Sequence, residues 1–300
     1  MRQRAEAGVR GLCAAVGLSR SGYYRASKQE EEARKQEVEL RNQIQAVALR
    51  RPAYGYRRVT AELQQQGRRV NHKRVLRMMR EDNLLCLRQR RGWVRTTNSE
   101  HGLPVYANLA AGMKVTGVNQ LWVADITYIR LGREFVYLAV VLDVWSRRVI
   151  GWNVDRHLRT ELALGALEQA LKQRKIQSGL VHHSDRGVQY ASQAYTECLR
   201  AHQIGISMSR RGNPYDNAYA ESFMKTLKQE EVNRKEYGSL EEAQEHIGRF
   251  VEEIYNEQRL HSALDYLSPL QFERKQESQC VTGAGQEAQT PPLAPHPHPG

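Results

Sequence analysis

The 300-residue sequence predicts an α/β fold in which a core with a mixed sheet follows a small all-helical region. Two observations predict this class. Three runs rich in Val, Ile, Tyr and Trp lie within residues 119–155, and helix-like and strand-like stretches then alternate to about residue 255. Before residue 95, by contrast, the apolar residues recur at the spacing that is typical of helices.

Residues 1–50 are predicted to form an N-terminal helical segment. Its main helix covers residues 28–50, which contain many good helix formers and neither Gly nor Pro, and Pro52 ends it. Two short helices are expected before the main helix, on either side of a turn at residues 17–19. The segment is therefore expected to hold three helices.

Residues 51–95 are predicted to form a helix-turn-helix that binds DNA. Its first helix covers residues 57–66 and is ended by Gly67, and Asn71 is the expected N-cap of the second helix. Apolar residues of the second helix can face a core while its basic residues spread over the exposed side, which suits a DNA groove or backbone. An ordinary basic surface helix is the alternative. The residues predicted to contact DNA in this region are Arg57, Arg58, Lys73, Arg74 and Arg77.

The positive charge of the chain is concentrated near its start. Residues 1–100 carry 23 basic and 10 acidic side chains, whereas residues 101–300 carry 22 and 23. Solubility alone does not require this segregation. A polyanionic partner does, because neutralising phosphates releases counterions, and the charge distribution therefore predicts a nucleic acid as a partner.

Composition argues against two other classes of protein. No window approaches eighteen consecutive apolar residues, so a membrane protein is excluded, and the first residues lack the apolar run of a secretory signal. We therefore expect a cytoplasmic protein. The four cysteines lie far apart and supply neither a disulfide framework nor a CxxC pair for zinc.

The remaining sequence divides into a linker, a core and a tail. Residues 96–118 are predicted as a linker, because apolar periodicity is lost there, and the core with its C-terminal helices covers residues 119–274. Residues 275–300 are predicted to be a disordered Pro-rich tail, since they end in TPPLAPHPHPG. The elements expected in the core are strands at 121–131, 134–146, 147–155, 180–183 and 206–208, and helices at 160–174, 192–202, 217–230 and 240–255.

Three carboxylates stand at positions that suit chemistry. Asp125 interrupts the strand LWVADITYI, where a buried charge is costly unless it is paired or bound to a metal. Asp185 follows the strand in LVHHSDRGVQY, and Glu221 lies in the first turns of a helix in NPYDNAYAESFMKTLKQE. Such an all-oxygen set is the one that Mg²⁺ or Mn²⁺ prefers. Two of these ions can activate the attacking oxygen and stabilise the leaving oxygen of a phosphodiester.

Basic residues accompany the three carboxylates. Lys225 and Lys228 follow Glu221 by four and seven residues on the same helix face, where they could hold a phosphate backbone. The alternative is that both are ordinary charges on a helix surface. Arg210 and Arg211 precede the helix and could grip a DNA end.

A fourth carboxylate, Asp143, also interrupts a strand-like run and competes for the role of metal ligand. The better account of Asp143 is a strand-end carboxylate that pairs with Arg147 or Arg148. It is therefore left out of the candidate site.

The stretches WVADITYI, HHSDRGVQY and NPYDNAYAESFMKTLKQE, with 35 residues between the second Asp and the Glu, closely resemble the DDE transposases of the IS-three insertion-sequence family. These are bacterial relatives of retroviral integrases. YGYRRVTAEL with NHKRVLRMMRE is similar to the upstream helix-turn-helix of the family, and YNEQRLHSALDYLSPLQFE is similar to its C-terminal signature. The resemblance covers about residues 10–274.

The resemblance implies a ribonuclease H-like catalytic core in which Asp125, Asp185 and Glu221 form the catalytic and metal-binding triad. The cofactor implied is a pair of Mg²⁺ ions per active site, with Mn²⁺ as a substitute. Lys228 matches the basic residue of the family that contacts substrate DNA. The implied enzyme is a metal-dependent transposase that frees a 3′-OH at the element's ends, and this 3′-OH then attacks DNA by transesterification.

The resemblance also implies partners beyond DNA itself. In the family, one end of the element is transferred to a position flanking the other end, which gives a circular intermediate. The resemblance therefore implies a homo-oligomer on DNA. It also implies a protein associated with the nucleoid. In the family the catalytic reading frame is commonly joined by frameshifting to an upstream product. This chain is therefore expected to be a downstream portion, with the upstream-frame product as a candidate partner.

Two rival functions stay open at this point. A sequence-specific DNA-binding regulator would use the basic N-terminal region alone and predicts a broken triad, whereas this triad is intact. A ribonuclease H-like nuclease of the same fold would hydrolyse without joining, and resemblance alone separates it from a transposase.

Overall fold

The computed structural model describes residues 2–86, 102–132, 134–210 and 217–284. The chain divides into two compact units, Met1–Arg88 and Gln89–Gly300. Among the helices of the described ranges, none is long and apolar enough to cross a membrane.

The first unit consists of helices. They are α1 (Arg2–Val16), α2 (Arg20–Arg50), α3 (Tyr56–Gln65) and α4 (His72–Glu81). The predicted turn at residues 17–19 is confirmed, but the prediction of a separate short helix after it is wrong, because α2 continues unbroken for 31 residues. Ser19 caps α2, since its hydroxyl accepts the Gly22 N–H at 3.0 Å. A glycine in the first turn is tolerated there, and no later residue interrupts the helix.

The predicted helix-turn-helix is confirmed. The Asn71 side chain accepts the Lys73 N–H at 2.8 Å and so caps α4. Three apolar residues of α4, Val75, Met78 and Met79, are fully buried. They form the core of the unit with apolar side chains of α2 and α3, namely Leu40, Ile44, Val47, Val59 and Leu63.

The second unit is built on a five-stranded mixed sheet in the order β3-β2-β1-β4-β5. Its strands are β1 (Leu121–Leu131), β2 (Glu134–Asp143), β3 (Val149–Asp155), β4 (Val181–Ser184) and β5 (Gly205–Met208). Strands β1 to β3 are antiparallel, and β4 and β5 run parallel to β1. The α/β class and the ribonuclease H-like mixed sheet are therefore confirmed.

Helices cover both faces of this sheet. They are α5 (Thr160–Gln173), α6 (Val188–Ala191), α7 (Gln193–Ala201), α8 (Ala218–Glu230), α9 (Leu240–Arg249) and α10 (Pro269–Ala284). Apolar residues of α5, α6 and α7 pack on one face, and those of α8 and α9 pack on the other. Helix α5 lies so close to β3 that a Cβ on Gly151 would come within 2.0 Å of the Ala166 carbonyl oxygen. A residue without a side chain is therefore required at this crossing.

Two predictions about the end of the chain need correction. The helix expected at residues 240–255 is two elements, α9 and a π-helix at Phe250–Gln258. Helix α10 covers the first ten residues of the predicted tail, 275–284, because the prolines of the tail begin later in the sequence. The rest of the predicted tail lies outside the described residues.

Helix α10 is anchored to the core by a buried acidic side chain. Glu273 forms ion pairs with Arg148 and Arg174, and the Phe272 ring lies 4.7 Å from the Trp145 ring, centroid to centroid. Because Glu273 is nearly fully buried, these pairs compensate its desolvation. The anchor explains why a polar sequence here forms a helix.

The described part of the predicted linker, residues 102–118, contains no helix or strand. It nevertheless packs against the second unit. The backbone N–H groups of Leu109 and Ala110 donate to the Ser207 hydroxyl at 2.8 and 3.3 Å, and Met113 packs against the apolar core. This end of the segment is therefore part of the second unit.

Candidate active site

Strand pairing brings Asp125 and Asp185 to the same place. Strands β1 and β4 are parallel neighbours in which Val123 lies opposite His183. Asp125 and Asp185 each follow that pair by two residues, so they lie side by side beyond the end of β4.

Helix α8 adds Glu221 to the pair. The Asn217 side chain, at the N-cap position, makes no capping bond and instead donates to the Ala124 carbonyl at 3.0 Å. This bond fixes the start of α8 beside Asp125. Glu221 lies in the first turn that follows, and its side chain is partly exposed.

The electrostatics of Asp125 show that the three carboxylates are neighbours. Burial, followed by the charge of Asp185 and then by that of Glu221, raises the pKa of Asp125 to about 8. The Ile126 N–H, 2.9 Å away, and the charge of Lys228 act in the opposite direction. Burial also raises the pKa of Glu221. Ionising this cluster fully therefore requires a positive charge from outside it.

This requirement fits a divalent cation. The donor set is three carboxylates, which suits Mg²⁺ or Mn²⁺ rather than zinc. Within the described ranges, no group of three or more His, Cys, Asp or Glu side chains is already arranged to hold a metal ion. The fit therefore rests on the chemistry of the donors and on the raised pKa of Asp125 beside two other carboxylates.

The two lysines of α8 have different environments. Lys228 is partly buried, and its Nζ lies 4.3 Å from the centroid of the Tyr128 ring. Burial lowers the pKa of Lys228, and the charge of Asp125 raises it. Lys225 is exposed. The structure thus brings Lys228 to the carboxylates and leaves Lys225 at the surface.

The turn after β4 orients Asp185. Its Oδ1 accepts the Gly187 N–H at 2.9 Å, and a Cβ on Gly187 would come within 2.9 Å of that same oxygen. Arg186 donates to the Ser209 carbonyl at 2.8 Å, which holds the turn against the end of β5. Arg210 is exposed just beyond β5, whereas Arg211 lies outside the described residues.

The two histidines before Asp185 are structural. His182 is buried with its Nε2 2.9 Å from the Tyr195 hydroxyl. His183 is buried between the Ser207 and Ser209 hydroxyls, at 2.8 and 2.9 Å. Both side chains lie inside the protein, where His182 links β4 to α7 and His183 links β4 to β5 and the residue after it.

The expected pairing of Asp143 with Arg147 or Arg148 is wrong. Its carboxylate instead accepts the backbone N–H groups of Asn119, Trp145 and Ser146 and the Ser146 hydroxyl, at 2.7 to 3.3 Å. Arg148 pairs with Glu273, and Arg147 lies over the Tyr219 ring with its Cζ 3.9 Å from the centroid.

Sequence reasoning missed two aromatic residues of the site. Tyr128, whose ring lies under Lys228, follows Asp125 by three residues in the strand TYI. Tyr190 is buried, and the charges of Asp125 and Asp185 contribute to its raised pKa after burial and Tyr195. The sequence signal that could have identified Tyr190 is its position shortly after Asp185 in the motif HHSDRGVQY.

The predicted DNA-contacting residues of the first unit lie on or next to its helix-turn-helix. Arg57 is exposed with its Nε 3.1 Å from the Tyr56 hydroxyl, and Arg58 lies over the Tyr54 ring. Three further basic residues are exposed along α4, namely Lys73, Arg74 and Arg77. Arg77 is also 3.6 Å from Glu81.

Family models match both units. Two models described as "Integrase core domain" match residues 115–214 and 202–269, and one described as "HTH-like domain" matches residues 35–92. The fold and the site thus define a class of protein in which an integrase core follows a helix-turn-helix along the sequence.

Relatives that match over most of their length identify the family. The chain is 39% identical over 267 residues to the "Insertion element IS600 uncharacterized 31 kDa protein" of Shigella sonnei, covering 88% of this chain and 98% of that one. It is 36% identical over 284 residues to "Transposase InsF for insertion sequence IS3A" of Escherichia coli K12, covering 91% and 96%. The chain belongs to the IS-three family of insertion-sequence transposases.

Solved structures with a similar fold come from retroviruses. A simian T-cell lymphotropic virus intasome in complex with PP2A regulatory subunit B56 gamma matches with a TM-score of 0.46 and 16% identity, over 86% of this chain and 78% of that one. The HTLV-2 integrase catalytic core domain in complex with magnesium matches with a TM-score of 0.40 and 16% identity, over 52% and 96%.

Proposed function

We propose that the chain cleaves DNA at the ends of an insertion sequence to free a 3′-OH and then joins that 3′-OH to DNA by transesterification. The observation that supports this chemistry best is the grouping of Asp125, Asp185 and Glu221, in which the charges of the other two carboxylates help to raise the pKa of Asp125. Membership of a transposase family supports DNA as the substrate.

Both proposed steps displace an oxygen at phosphorus. In the first, a water oxygen bonds to the phosphorus and the bond to the 3′ oxygen breaks, which leaves a 3′-OH. In the second, this 3′-OH forms the new phosphodiester while the bond to a target-strand oxygen breaks. Two divalent cations, Mg²⁺ or Mn²⁺, held by Asp125, Asp185 and Glu221, would activate the attacking oxygen and stabilise the leaving one.

The basic residues position the DNA. Lys228 carries its ammonium group beside Asp125, which suits contact with the phosphate next to the scissile bond. Lys225, Arg210 and Arg211 contact the flanking backbone. The helix-turn-helix holds the DNA of the element end with Arg57, Arg58, Lys73, Arg74 and Arg77.

The proposed partners follow from the reaction. Double-stranded DNA supplies the element ends and the target. Because two ends must be brought together, the chain works as a homo-oligomer on DNA, with the upstream-frame product as a further partner. Because the substrate is chromosomal DNA, the protein is cytoplasmic and associated with the nucleoid.

A joining assay tests this proposal. The full chain is incubated with Mn²⁺ and labelled duplexes that carry candidate element ends, and products are separated by size. We expect joined products that are lost in Asp185→Asn. The matched control is Asp155→Asn, because the Asp155 carboxylate accepts the His157 N–H at 2.8 Å at the end of β3 and should not affect joining.

Three outcomes would contradict the proposal. Products that are hydrolysed and never joined would indicate a nuclease. Tight binding with no chemistry would indicate a DNA-binding regulator. Joining that survives Asp185→Asn would exclude the three carboxylates as the catalytic site.

A further inference from the structure

Tyr190 is a buried polar side chain that the proposed reaction does not yet use. Its relative exposure is 3%, and its hydroxyl has no hydrogen-bond partner among the described residues. Buried hydroxyl groups are nearly always bonded, because an unmet donor loses its bonds to water without replacement. An exception in a folded protein therefore calls for an explanation.

The position of Tyr190 ties it to the turn that carries Asp185. Its backbone N–H donates to the Gly187 carbonyl at 3.1 Å, and the Gly187 N–H donates to Asp185 Oδ1 at 2.9 Å. A Cβ on Gly187 would meet Asp185 Oδ1 at 2.9 Å and Tyr190 Cδ2 at 3.5 Å. The Tyr190 ring and the Asp185 carboxylate therefore enclose the same glycine.

The neighbouring aromatic side chains hold the Tyr190 ring in place. Its centroid lies 5.3 Å from that of Tyr195 in an edge-to-face arrangement and 6.4 Å from that of His182. The Tyr195 hydroxyl is itself satisfied, 2.9 Å from His182 Nε2. Two buried tyrosines thus lie in contact, and they differ in whether the hydroxyl has a partner.

We propose that Tyr190 is a positioning residue whose hydroxyl donates a hydrogen bond to the Asp125–Asp185 carboxylate pair and holds the pair in place when the site takes up its cations and DNA. This inference rests on the proposed function. A carboxylate that coordinates a cation keeps lone pairs for such a donor, and charge-assisted bonds of this kind are strong. Hydrogen bonds to metal-binding groups orient them, and their loss typically lowers metal affinity or activity about ten- to hundredfold.

The test compares Tyr190→Phe with Tyr195→Phe in the full chain. Each substitution removes one buried hydroxyl from one of two touching rings. Three quantities are measured: the Tm without metal, the rise in Tm on adding Mn²⁺, and the joining rate.

We expect opposite results from the two variants. Tyr190→Phe should keep or raise the Tm without metal, because it removes an unmet hydroxyl, yet reduce the Mn²⁺-induced rise and slow joining about ten- to hundredfold. Tyr195→Phe should lower the Tm without metal, because it breaks the bond to His182, and leave the other two quantities as in the unmodified chain.

The role of Tyr190 is refuted if Tyr190→Phe lowers the Tm without metal while the Mn²⁺-induced rise and joining are unchanged. If the unmodified chain never joins DNA but the reduced Mn²⁺ response of Tyr190→Phe persists, the proposed function is wrong and the positioning role is supported. If the unmodified chain and Tyr190→Phe join DNA at the same rate, the proposed function stands and the inference about Tyr190 is wrong.

Discussion

Two acidic side chains on adjacent strands of the same sheet, Asp125 on β1 and Asp143 on β2, are surrounded very differently. The Asp143 carboxylate is fully buried and accepts hydrogen bonds from Asn119, Trp145 and Ser146. Asp125 accepts the backbone N–H of the next residue, Ile126, and has two acidic neighbours, Asp185 and Glu221. The fold therefore surrounds Asp143 with hydrogen-bond donors, whereas it places Asp125 among other carboxylates, with Lys228 as a nearby positive charge.

The same contrast extends to other acidic residues of the unit. Glu230 and Glu273 are largely buried, and each forms an ion pair with a buried arginine, Arg259 for the first and Arg174 for the second. Acids that hold the structure together are thus neutralised by partners from the chain. Carboxylates that a fold groups together mark a candidate functional site, because their mutual repulsion is retained at a cost in stability.

The largest effect is expected for Asp125→Asn. Loss of the carboxylate should lower the joining rate by about three orders of magnitude, or ~4 kcal/mol of transition-state stabilisation. The Tm without metal should stay the same or rise, because Asn carries no charge for burial to penalise. Joining is measured with labelled duplexes and Tm by differential scanning fluorimetry.

A marked fall in the Tm of Asp125→Asn without metal would contradict the comparison, since it would make Asp125 a structural residue like Asp143. Glu134→Gln is a suitable control, because Glu134 is exposed at the start of β2 and only approaches Arg156 at 4.0 Å. That variant should change neither quantity.

The opposite pattern is expected for Asp143→Ala. Removal of the carboxylate leaves three buried backbone N–H groups without their acceptor, so the free energy of unfolding should fall by about 3 kcal/mol. Urea unfolding followed by circular dichroism measures this change. Variant protein that remains folded should still bind Mn²⁺ and join DNA. Normal stability with lost joining would instead move Asp143 into the active site.

The elements of the fold were largely predictable, because local patterns determine them. Apolar runs rich in Val and Ile mark β1 to β3, and Asn71 at the N-cap of α4 is a signal that depends on its own neighbours alone. The three carboxylates were predictable as candidates because Asp125 interrupts and Asp185 follows an apolar strand, and Glu221 lies in the first turns of a predicted helix.

Tertiary partners were not predictable in the same way. Asp143 is satisfied by backbone N–H groups, which every residue carries, so no side chain in the sequence reveals them. Helix α10 depends on Glu273 reaching Arg174, which is 99 residues away in the chain. The hydroxyl of Tyr190 is unusual because it has no hydrogen-bond partner among the described residues, and only the packed structure reveals that.

A smaller effect is expected at His182, a buried basic side chain that can be compared with the buried acidic ones. Burial, followed by the charge of His183, lowers the pKa of His182 to about 3. Below pH 6.5 the unfolded chain gains a proton on this residue while the native chain does not. Stability should therefore fall with pH down to about 3, by up to ~1.4 kcal/mol per pH unit.

His182→Gln removes this contribution, so the slope of unfolding free energy against pH between 6 and 4 should become shallower. Urea midpoints at several pH values measure the slope. His202→Gln is the control, because His202 is exposed at the end of α7. Equal slopes in His182→Gln and the unmodified chain would show that the pKa of His182 is not lowered in the folded protein.

The smallest effect separates the two lysines of α8. Each of Lys228→Gln and Lys225→Gln removes one positive charge, but Lys228 lies beside Asp125 and over Tyr128, whereas Lys225 is exposed. If Lys228 contacts a phosphate, its loss should weaken DNA binding by about 1 kcal/mol and reduce the salt slope by about one. Lys225→Gln should have about half that effect or less, since a solvated side chain is screened. Fluorescence anisotropy at several salt concentrations measures both quantities, and equal losses would mean that partial burial next to the carboxylates gives Lys228 no special role in holding DNA.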